Sequence, residues 1–187
     1  MPDRAVFLDR DGTIIEDKDY LSRPEEVVIL AGAGPALRSL SEAGFKLFIV
    51  SNQSGVGRGY FTLEDVDRAN ARLAEELQGE GVRIAKVYIA PEAPGQPSRG
   101  RKPSPQFLRD ARDEFLVDLG QSYVVGDKLS DLQCGWNAGV KKCILVRTGY
   151  GEKVAAQERD RIAAAVIVDD LAAAAAWIIK TESETAL

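Results

Sequence analysis

The chain has 187 residues, of which 45% are hydrophobic and 28% charged, and its formal net charge is −5 at pH 7. This length is enough for one domain with its own core, and the acidic balance gives no reason to expect a nucleic acid or an anionic membrane as partner. Histidine is absent, which excludes Ser-His-Asp and Cys-His nucleophilic sites and the common zinc ligand sets.

Membrane and export signals are not recognisable in the sequence. No apolar run approaches the roughly 20 residues that a membrane span needs, and charged residues at 9–11 interrupt the apolar stretch near the start. Cys134 and Cys143 form no cluster of metal ligands, so we expect buried free thiols. We therefore expect a cytoplasmic protein, and we expect it to be a monomer.

The first predicted strand, Ala5–Leu8, is a continuous apolar run, which is typical of a buried parallel strand. Asp9 and Asp11 follow it, and residues two apart point to the same side of an extended chain. Gly12 allows the backbone to turn and to approach a ligand closely. The two carboxylates can hold a divalent cation or supply a nucleophile and an acid, although Asp and Gly are also common in solvated turns.

Strands and helices alternate along the rest of the chain. After a charged segment at 14–30, the pattern predicts a helix from Gly34 to about Ala43, a strand at Phe45–Val50, a helix from Thr62 to about Gly79, a strand at Val82–Ala90, a helix from Ser104 to about Phe115, a strand at Tyr123–Val125, a short helix around Leu132, a strand at Cys143–Val146, a strand at Ala165–Val168 and a helix at Leu171–Ile179. The alternation predicts a Rossmann-like three-layer α/β sandwich with a mainly parallel sheet of five to six strands. We expect residues 1–180 to form a single domain and residues 181–187 to be frayed.

Polar residues follow four of these strands at the same edge of the predicted sheet. They are Asp9, Asp11, Ser51, Asn52, Lys102, Asp127 and Asp131. Three or four carboxylates at one edge repel one another unless a cation neutralises them, and magnesium suits them because it takes few carboxylates and leaves room for a phosphate oxygen. With a hydroxyl at Ser51 and an ammonium at Lys102, the set fits phosphoryl transfer.

Four motifs, in this order, resemble those of haloacid-dehalogenase (HAD) superfamily phosphatases: Asp9-Arg-Asp11-Gly-Thr, Ser51-Asn-Gln-Ser-Gly, Arg101-Lys102-Pro and Gly126-Asp127-Lys128-x-x-Asp131. The resemblance covers about residues 4–150. More narrowly, the motifs look like those of D-glycero-D-manno-heptose 1,7-bisphosphate phosphatases and their relatives, the histidinol-phosphate phosphatases. The resemblance implies a HAD-like fold, and the spacing of the motifs leaves no room for a large cap domain.

The resemblance also implies catalytic roles for the matching residues. Asp9 is expected to be the nucleophile that forms an aspartyl-phosphate. Asp11 is expected to be the general acid and base, and Ser51 and Lys102 are expected to stabilise the phosphoryl group.

Further implied roles concern the metal and the substrate. Magnesium is expected to bind Asp9, the main-chain carbonyl of Asp11 and Asp127, with Asp131 in support. The expected substrate contacts are Asp17, Tyr20, Ser51, Asn52, Gln53, Ser54, Arg101 and Lys128.

One departure from the resemblance concerns zinc. Many phosphatases of this subfamily carry a Cys/His zinc-binding loop ahead of the Arg-Lys-Pro motif. The corresponding loop here, Ala90–Gly100, contains neither residue type, so we expect no zinc.

The sequence therefore predicts a magnesium-dependent phosphomonoester hydrolase whose partner is a small phosphorylated metabolite. Removal of the 7-phosphate of heptose 1,7-bisphosphate is the leading expectation, and a histidinol-phosphate phosphatase or another small-metabolite phosphatase is the alternative. A non-enzymatic alternative is a phospho-receiver-like signalling module. In a receiver the acidic pair and the phosphorylated Asp come from different strands, whereas Asp9 and Asp11 share one strand end, which favours turnover.

Overall fold

A computed structural model of the chain describes residues 2–185. The strands in this part are β1 (Arg4–Leu8), β2 (Phe45–Asn52), β3 (Ile84–Ala90), β4 (Tyr123–Gly126), β5 (Lys142–Val146) and β6 (Val166–Val168). The α-helices are α1 (Ala33–Glu42), α2 (Ser54–Gly57), α3 (Leu63–Gly79), α4 (Gln106–Phe115), α5 (Leu129–Ala138), α6 (Gly151–Gln157) and α7 (Leu171–Thr185).

The strands form one six-stranded sheet in the order β3-β2-β1-β4-β5-β6. Each neighbouring pair in this order is parallel. Leu8, the last residue of β1, is in register with Ile49 of β2 and with Val125 of β4. The chain therefore leaves the three central strands at the same edge and within a few residues of the same level.

Alternation along β1 divides the core between the two faces of the sheet. Val6 and Leu8 belong to the cluster that contains most of the buried residues of α1 and α3 together with buried residues of α7. Ala5 and Phe7 belong to the second cluster, which contains the buried residues of α4 and leucine and cysteine side chains of α5. Both faces of the sheet are covered, as expected for a parallel sheet.

These features confirm the predicted α/β fold with a parallel sheet of six strands. In residues 2–185, the segments between β1 and α1 and between β2 and β3 add no second sheet, so the predicted absence of a large cap domain agrees with the structure. Two short helices, α2 and α6, lie where the sequence pattern predicted no helix. None of the helices among the described residues is long and apolar enough to cross a membrane.

Helix α7 continues beyond Ile179, where the apolar pattern predicted its end. Residues 181–185, which we expected to be frayed, are part of this helix, and residues 186 and 187 lie outside the described residues. The helix extends past the end of its apolar pattern because polar contacts hold the turn that follows Ile179.

Glu182 makes these polar contacts. Its carboxylate accepts hydrogen bonds from Arg4 over 2.8 Å, from Lys141 over 2.7 Å and from the hydroxyl of Tyr123. Burial by itself raises the pKa of Glu182, but the hydrogen bonds from Lys141 and Tyr123 outweigh it and lower the pKa below its usual value. One carboxylate therefore ties the end of α7 to β1, to β4 and to the residue before β5.

We predict that Glu182→Gln lowers the free energy of unfolding at pH 7 by on the order of 1 kcal/mol, because a charge-assisted acceptor is lost. Since the folded-state pKa of Glu182 is lowered, its contribution is complete above the unfolded-state pKa and is lost as the pH falls through the folded-state pKa. Urea unfolding should therefore show the two proteins converging in acid. Glu184→Gln is the control, because the Glu184 side chain is 68% exposed; an equal loss in both variants would contradict the prediction.

Candidate active site

Three neighbouring strands, β2, β1 and β4, deliver the central residues of the site. Asp9 follows β1, and its N–H donates to the carbonyl of Val125 over 3.0 Å. Ser51 is the second-last residue of β2, and Asp127 follows β4 directly. The exposed fractions of Asp9, Ser51 and Asp127 are 6%, 1% and 0%. The sheet thus places two carboxylates and a hydroxyl in a buried position at one edge.

Lys102 reaches the same position from the loop after β3. Its Nζ lies 2.6 Å from Asp9 Oδ1, 2.6 Å from Asp131 Oδ1 and 2.7 Å from the carbonyl oxygen of Val50. Asn52 holds the backbone of Lys102 on both sides, because its amide donates to the Lys102 carbonyl over 3.1 Å and accepts the Lys102 N–H over 2.9 Å. The ammonium group is therefore fixed between two carboxylates.

The charges of Lys102 and Asp9 stabilise each other. Burial opposes the charge of Lys102, but the carboxylates of Asp131 and Asp9 outweigh burial and raise its pKa. Burial also raises the pKa of Asp9, and the ammonium groups of Lys102 and Lys128 outweigh this and lower it. Asp9 is thus held as a carboxylate, which is the form that a nucleophile requires.

A second feature of the site is a cluster of three carboxylates. Asp9, Asp127 and Asp131 each offer an oxygen within 4.8 Å of the others, and among the described residues this is the one such group of acidic or thiol ligands. Burial, and then the charge of Asp9, raises the pKa of Asp127 to about 8.

The two oxygens of Asp127 differ in their contacts. Oδ2 accepts the N–H of Tyr150 over 2.8 Å, whereas Oδ1 is buried and has no hydrogen-bond partner. A buried, unpartnered carboxylate oxygen beside an ionised carboxylate fits a hard divalent cation. Asp131 differs, because Lys102 lies against its Oδ1 and the N–H of Lys128 donates to its Oδ2 over 2.9 Å. The residues present therefore fit magnesium.

Two glycines allow the backbone to approach Asp127. Gly12 has a φ of +84° and Gly149 a φ of +56°, both in the left-handed region. A Cβ at either position would collide with the carboxylate of Asp127. These positions therefore require glycine for both conformation and space.

A cavity of about 310 Å³ opens beside these buried groups. Of the residues that we predicted for the site, those that line it are Asp11, Asp17, Tyr20, Asn52, Gln53, Ser54, Arg101 and Lys128. The remaining predicted residues, Asp9, Ser51, Lys102, Asp127 and Asp131, are buried. The structure brings both sets together, since Asn52 bonds to the backbone of Lys102 and Gln53 bonds to both Asp11 and Ser51.

Gln53 connects the cavity with the buried groups. Its Nε2 donates to Asp11 Oδ2 over 2.8 Å and to Ser51 Oγ over 2.7 Å. We expected Gln53 among the substrate contacts, but both hydrogens of its amide are used within the protein. Its side chain thereby links the position of Asp11 to that of Ser51.

Asp19, within the segment from Asp17 to Tyr20 that was expected to contact the substrate, also lines the cavity, as does Tyr150, which sequence reasoning missed. The Tyr150 hydroxyl donates to Asp19 over 3.1 Å, and its ring centre lies 4.8 Å from the ammonium nitrogen of Lys128. Lys128 pairs in addition with Asp17 over 3.1 Å. The sequence contains a feature that could have identified Tyr150: it follows Gly149 shortly after β5, and that strand ends at the same edge of the sheet.

Arg101 lies on the wall formed by the loop after β3. Its guanidinium donates to the carbonyl of Glu92 over 2.9 Å, and burial lowers its pKa. The loop is held by its own polar groups: Ser98 donates to the Glu92 carboxylate over 2.6 Å, and Gln96 accepts the N–H of Ala93 over 2.7 Å.

Comparisons with known proteins place the chain among phosphatases. A family model described as HAD-hydrolase-like matches residues 100–174. The chain is 39% identical over 144 residues to D-glycero-beta-D-manno-heptose-1,7-bisphosphate 7-phosphatase of Helicobacter pylori, covering 76% of this chain and 83% of the relative. It is 39% identical over 181 residues to D-glycero-D-manno-heptose-1,7-bisphosphate 7-phosphatase of Chlorobaculum tepidum, covering 90% of each chain.

A solved structure shows the same similarity. The crystal structure of D,D-heptose 1,7-bisphosphate phosphatase from B. bronchiseptica, complexed with magnesium and phosphate, matches this fold with a TM-score of 0.87 at 31% identity. The match covers 95% of this chain and 99% of that one.

We predict that Asp127→Asn raises the thermal stability of the metal-free protein at pH 9. The pKa of Asp127 in the folded protein is raised to about 8, so the stability that its protonated form supports is lost as the pH rises through 8. Above that pH, the ionised and buried carboxylate destabilises the folded state. An increase in Tm of at least roughly 2–4 °C is expected, the shift that about 1 kcal/mol produces in a chain of this size.

We expect magnesium to raise the Tm of the parent protein, and the same variant should remove that increase, because one carboxylate of the acidic cluster is lost. Asp169→Asn is the matched control, since the Asp169 side chain is 89% exposed, and it should change neither value. A lower metal-free Tm in Asp127→Asn, together with an unchanged response to magnesium, would contradict the assignment.

Proposed function

The chain belongs to the HAD-like hydrolases, as a phosphatase related to the heptose 1,7-bisphosphate 7-phosphatases, and we propose that it removes the 7-phosphate of D-glycero-D-manno-heptose 1,7-bisphosphate. The observation that carries the proposal is the buried Asp9 carboxylate, held in its ionised form by Lys102 beside the unpartnered oxygen of Asp127. A nucleophile, a cation site and a fixed ammonium group are the parts that phosphoryl transfer needs.

The first proposed step transfers the phosphoryl group to the protein. A carboxylate oxygen of Asp9 attacks phosphorus, and the bond between phosphorus and the ester oxygen breaks. Asp11, in its acid form, gives its proton to that oxygen. The products are the free hydroxyl of the sugar and an aspartyl-phosphate at residue 9.

The second proposed step releases phosphate. Asp11, now a carboxylate, takes a proton from a water molecule whose oxygen bonds to phosphorus. The bond between phosphorus and the Asp9 oxygen breaks, so that phosphate leaves and Asp9 is again a carboxylate. Asp11 ends the cycle in its acid form, and protons balance.

Magnesium would be held by Asp9, the main-chain carbonyl of Asp11 and Asp127, with Asp131 in support through Lys102. Bound there, it supplies positive charge that offsets the carboxylates and the phosphoryl oxygens. We propose no role for zinc, because the loop Ala90–Gly100 contains no Cys or His and is held by hydrogen bonds of its own.

Ser51 would donate to a phosphoryl oxygen, and the ammonium group of Lys102 would place its positive charge beside the phosphoryl group. Both are buried, and both have a partner that fixes them: Gln53 for Ser51 and Asn52 for the backbone of Lys102. Donors that are already in place need no rearrangement as charge develops on the transferring group.

The cavity fits a small substrate that carries two phosphate groups. Arg101 and Lys128 supply positive charge for a second phosphate, and a planar guanidinium suits phosphate oxygens. Asp17 and Tyr20 would accept hydrogen bonds from, or pack against, the polyol chain. Ser54 completes the proposed contacts.

Phosphate release in the presence of magnesium tests the proposal directly. The substrates are both anomers of heptose 1,7-bisphosphate, histidinol phosphate and 4-nitrophenyl phosphate. We expect a heptose bisphosphate to have the highest kcat/KM, and we expect Asp9→Asn to lower kcat by about 10⁴-fold or more. A preference for histidinol phosphate would contradict the substrate, and a long-lived phosphorylated protein that releases no phosphate would indicate a receiver-like module.

We predict that Arg101→Ala lowers kcat/KM for the bisphosphate by about 10- to 100-fold, the effect of losing one charge-assisted hydrogen bond. The matching heptose monophosphate should lose less than about threefold, because it has no second phosphate for Arg101. Arg99→Ala is the control two residues away, since its side chain is 64% exposed and pairs with Asp110. Equal losses on both substrates would contradict a contact between Arg101 and the second phosphate.

A further inference from the structure

Arg10, the residue between the two motif aspartates, is the largest fully buried side chain among the described residues, with an exposed fraction of 1%. Its backbone is held by the turn that follows β1, because its carbonyl accepts the N–H of Ile14 over 2.9 Å and that of Ile15 over 3.1 Å. A buried guanidinium requires partners for its charge and its donors. Those partners indicate what Arg10 does.

The guanidinium of Arg10 forms a bidentate interaction with the carboxylate of Asp11. Nε donates to Asp11 Oδ2 over 3.1 Å, and Nη2 donates to Asp11 Oδ1 over 3.0 Å. The third nitrogen, Nη1, donates to the side-chain oxygen of Asn70 over 2.8 Å. This fork geometry is specific to arginine, since a lysine ammonium cannot form two parallel bonds to one carboxylate.

Asn70 anchors the guanidinium to a rigid element. It lies on α3, next to Ala69 and one helical turn from Val66 and Leu73, which are buried in the core. The position of the Asp11 carboxylate is thus set by a helix that itself contributes no residue to the proposed chemistry.

The acceptor positions on Asp11 are unequally occupied. Oδ2 accepts from both Arg10 Nε and Gln53 Nε2, which uses both of its lone pairs. Oδ1 accepts from Arg10 Nη2 alone, so one acceptor position remains. The Asp11 side chain is 16% exposed and lines the cavity, so this open position is the one available to a ligand.

We propose that Arg10, anchored by Asn70, is a positioning residue that orients the Asp11 carboxylate so that Oδ1 is the oxygen that exchanges the proton with the leaving group and with water. The inference rests on the proposed function, in which Asp11 gives a proton to the ester oxygen. Arg10 does not line the cavity, and its guanidinium contacts the carboxylate that it orients and its anchor Asn70, so its effect is transmitted through Asp11.

This role has a signature in the dependence on the leaving group. A sugar alkoxide is a poor leaving group and needs a well-placed acid, whereas 4-nitrophenolate leaves without one. We therefore compare the first-turnover release of the alcohol from heptose 1,7-bisphosphate and from 4-nitrophenyl phosphate, which isolates the first step from hydrolysis of the aspartyl-phosphate. The variants are Arg10→Lys and Asn70→Ala, and Gln78→Ala is the matched control, because its amide lies on the exposed side of the same helix.

We expect Arg10→Lys to slow the first turnover of the sugar phosphate by about 10-fold or more and that of the nitrophenyl ester by less than about threefold. Asn70→Ala should show the same pattern with a smaller loss, and Gln78→Ala should change neither rate. An equal loss on both substrates in Arg10→Lys, or no loss on either, would overturn the proposal, because a general disturbance of the fold does not discriminate between leaving groups. Thermal unfolding of each variant identifies any that is partly unfolded at the assay temperature.

Asp11→Asn separates this inference from the proposed function. If Asp11→Asn shows the loss on the sugar phosphate and Arg10→Lys does not, Asp11 is the acid and the positioning role of Arg10 is wrong. If Asp11→Asn lowers the first-turnover rates of the two substrates equally, Asp11 is not the acid, and the positioning role of Arg10 is wrong as well.

Discussion

Three carboxylates share a buried volume with one ammonium group at the carboxyl end of β1, and this balance of charge constrains the rest of the site. Lys102 lies against Asp9 and Asp131 and offsets one of the negative charges. The repulsion that remains is relieved at Asp127, because burial and the neighbouring Asp9 raise the pKa of that carboxyl to about 8. Without a metal, a proton on Asp127 relieves the repulsion at neutral pH; with a divalent cation, the carboxylate can ionise and bind it. The proposed preference for a divalent cation therefore follows from the buried charges and does not depend on the substrate.

The fold serves this arrangement by fixing the backbone around it. The parallel register of β2, β1 and β4 sets the level at which the chain leaves the sheet, and Asn52 brings the Lys102 loop to the same level through two hydrogen bonds. Gly12 and Gly149 leave room for the carboxylate of Asp127. Side chains that are this closely held suit a reaction in which charge moves between fixed groups, since little rearrangement is then needed.

The sequence predicted those features that depend on strand ends, and it missed those that depend on how side chains meet across loops. Asp9, Ser51 and Asp127 follow apolar strands, and parallel strands must end at one edge. By contrast, neighbouring side chains of an extended chain point to opposite sides, which predicts that Arg10 and Asp11 lie apart. In the structure, the turn after β1 allows the guanidinium of Arg10 to form two hydrogen bonds with the carboxylate of Asp11. The polar anchor of α7 was missed for a similar reason, because hydrophobic periodicity carries no information about an ion pair. The expected domain boundary, the monomeric state and the catalytic roles stay predictions.

The most direct test of the account is to trap the phosphorylated protein and find the modified residue. Acid quenching during the first turnover with magnesium, followed by borohydride reduction, converts an acyl phosphate to an alcohol, and peptide mass spectrometry locates it. If Asp9 is the nucleophile, the modification maps to Asp9, appears before phosphate is released and is abolished by Asp9→Asn. A modification at Asp11 or Asp127, or rapid turnover with no acyl phosphate at any residue, would contradict the assignment of the nucleophile and the charge balance built around it.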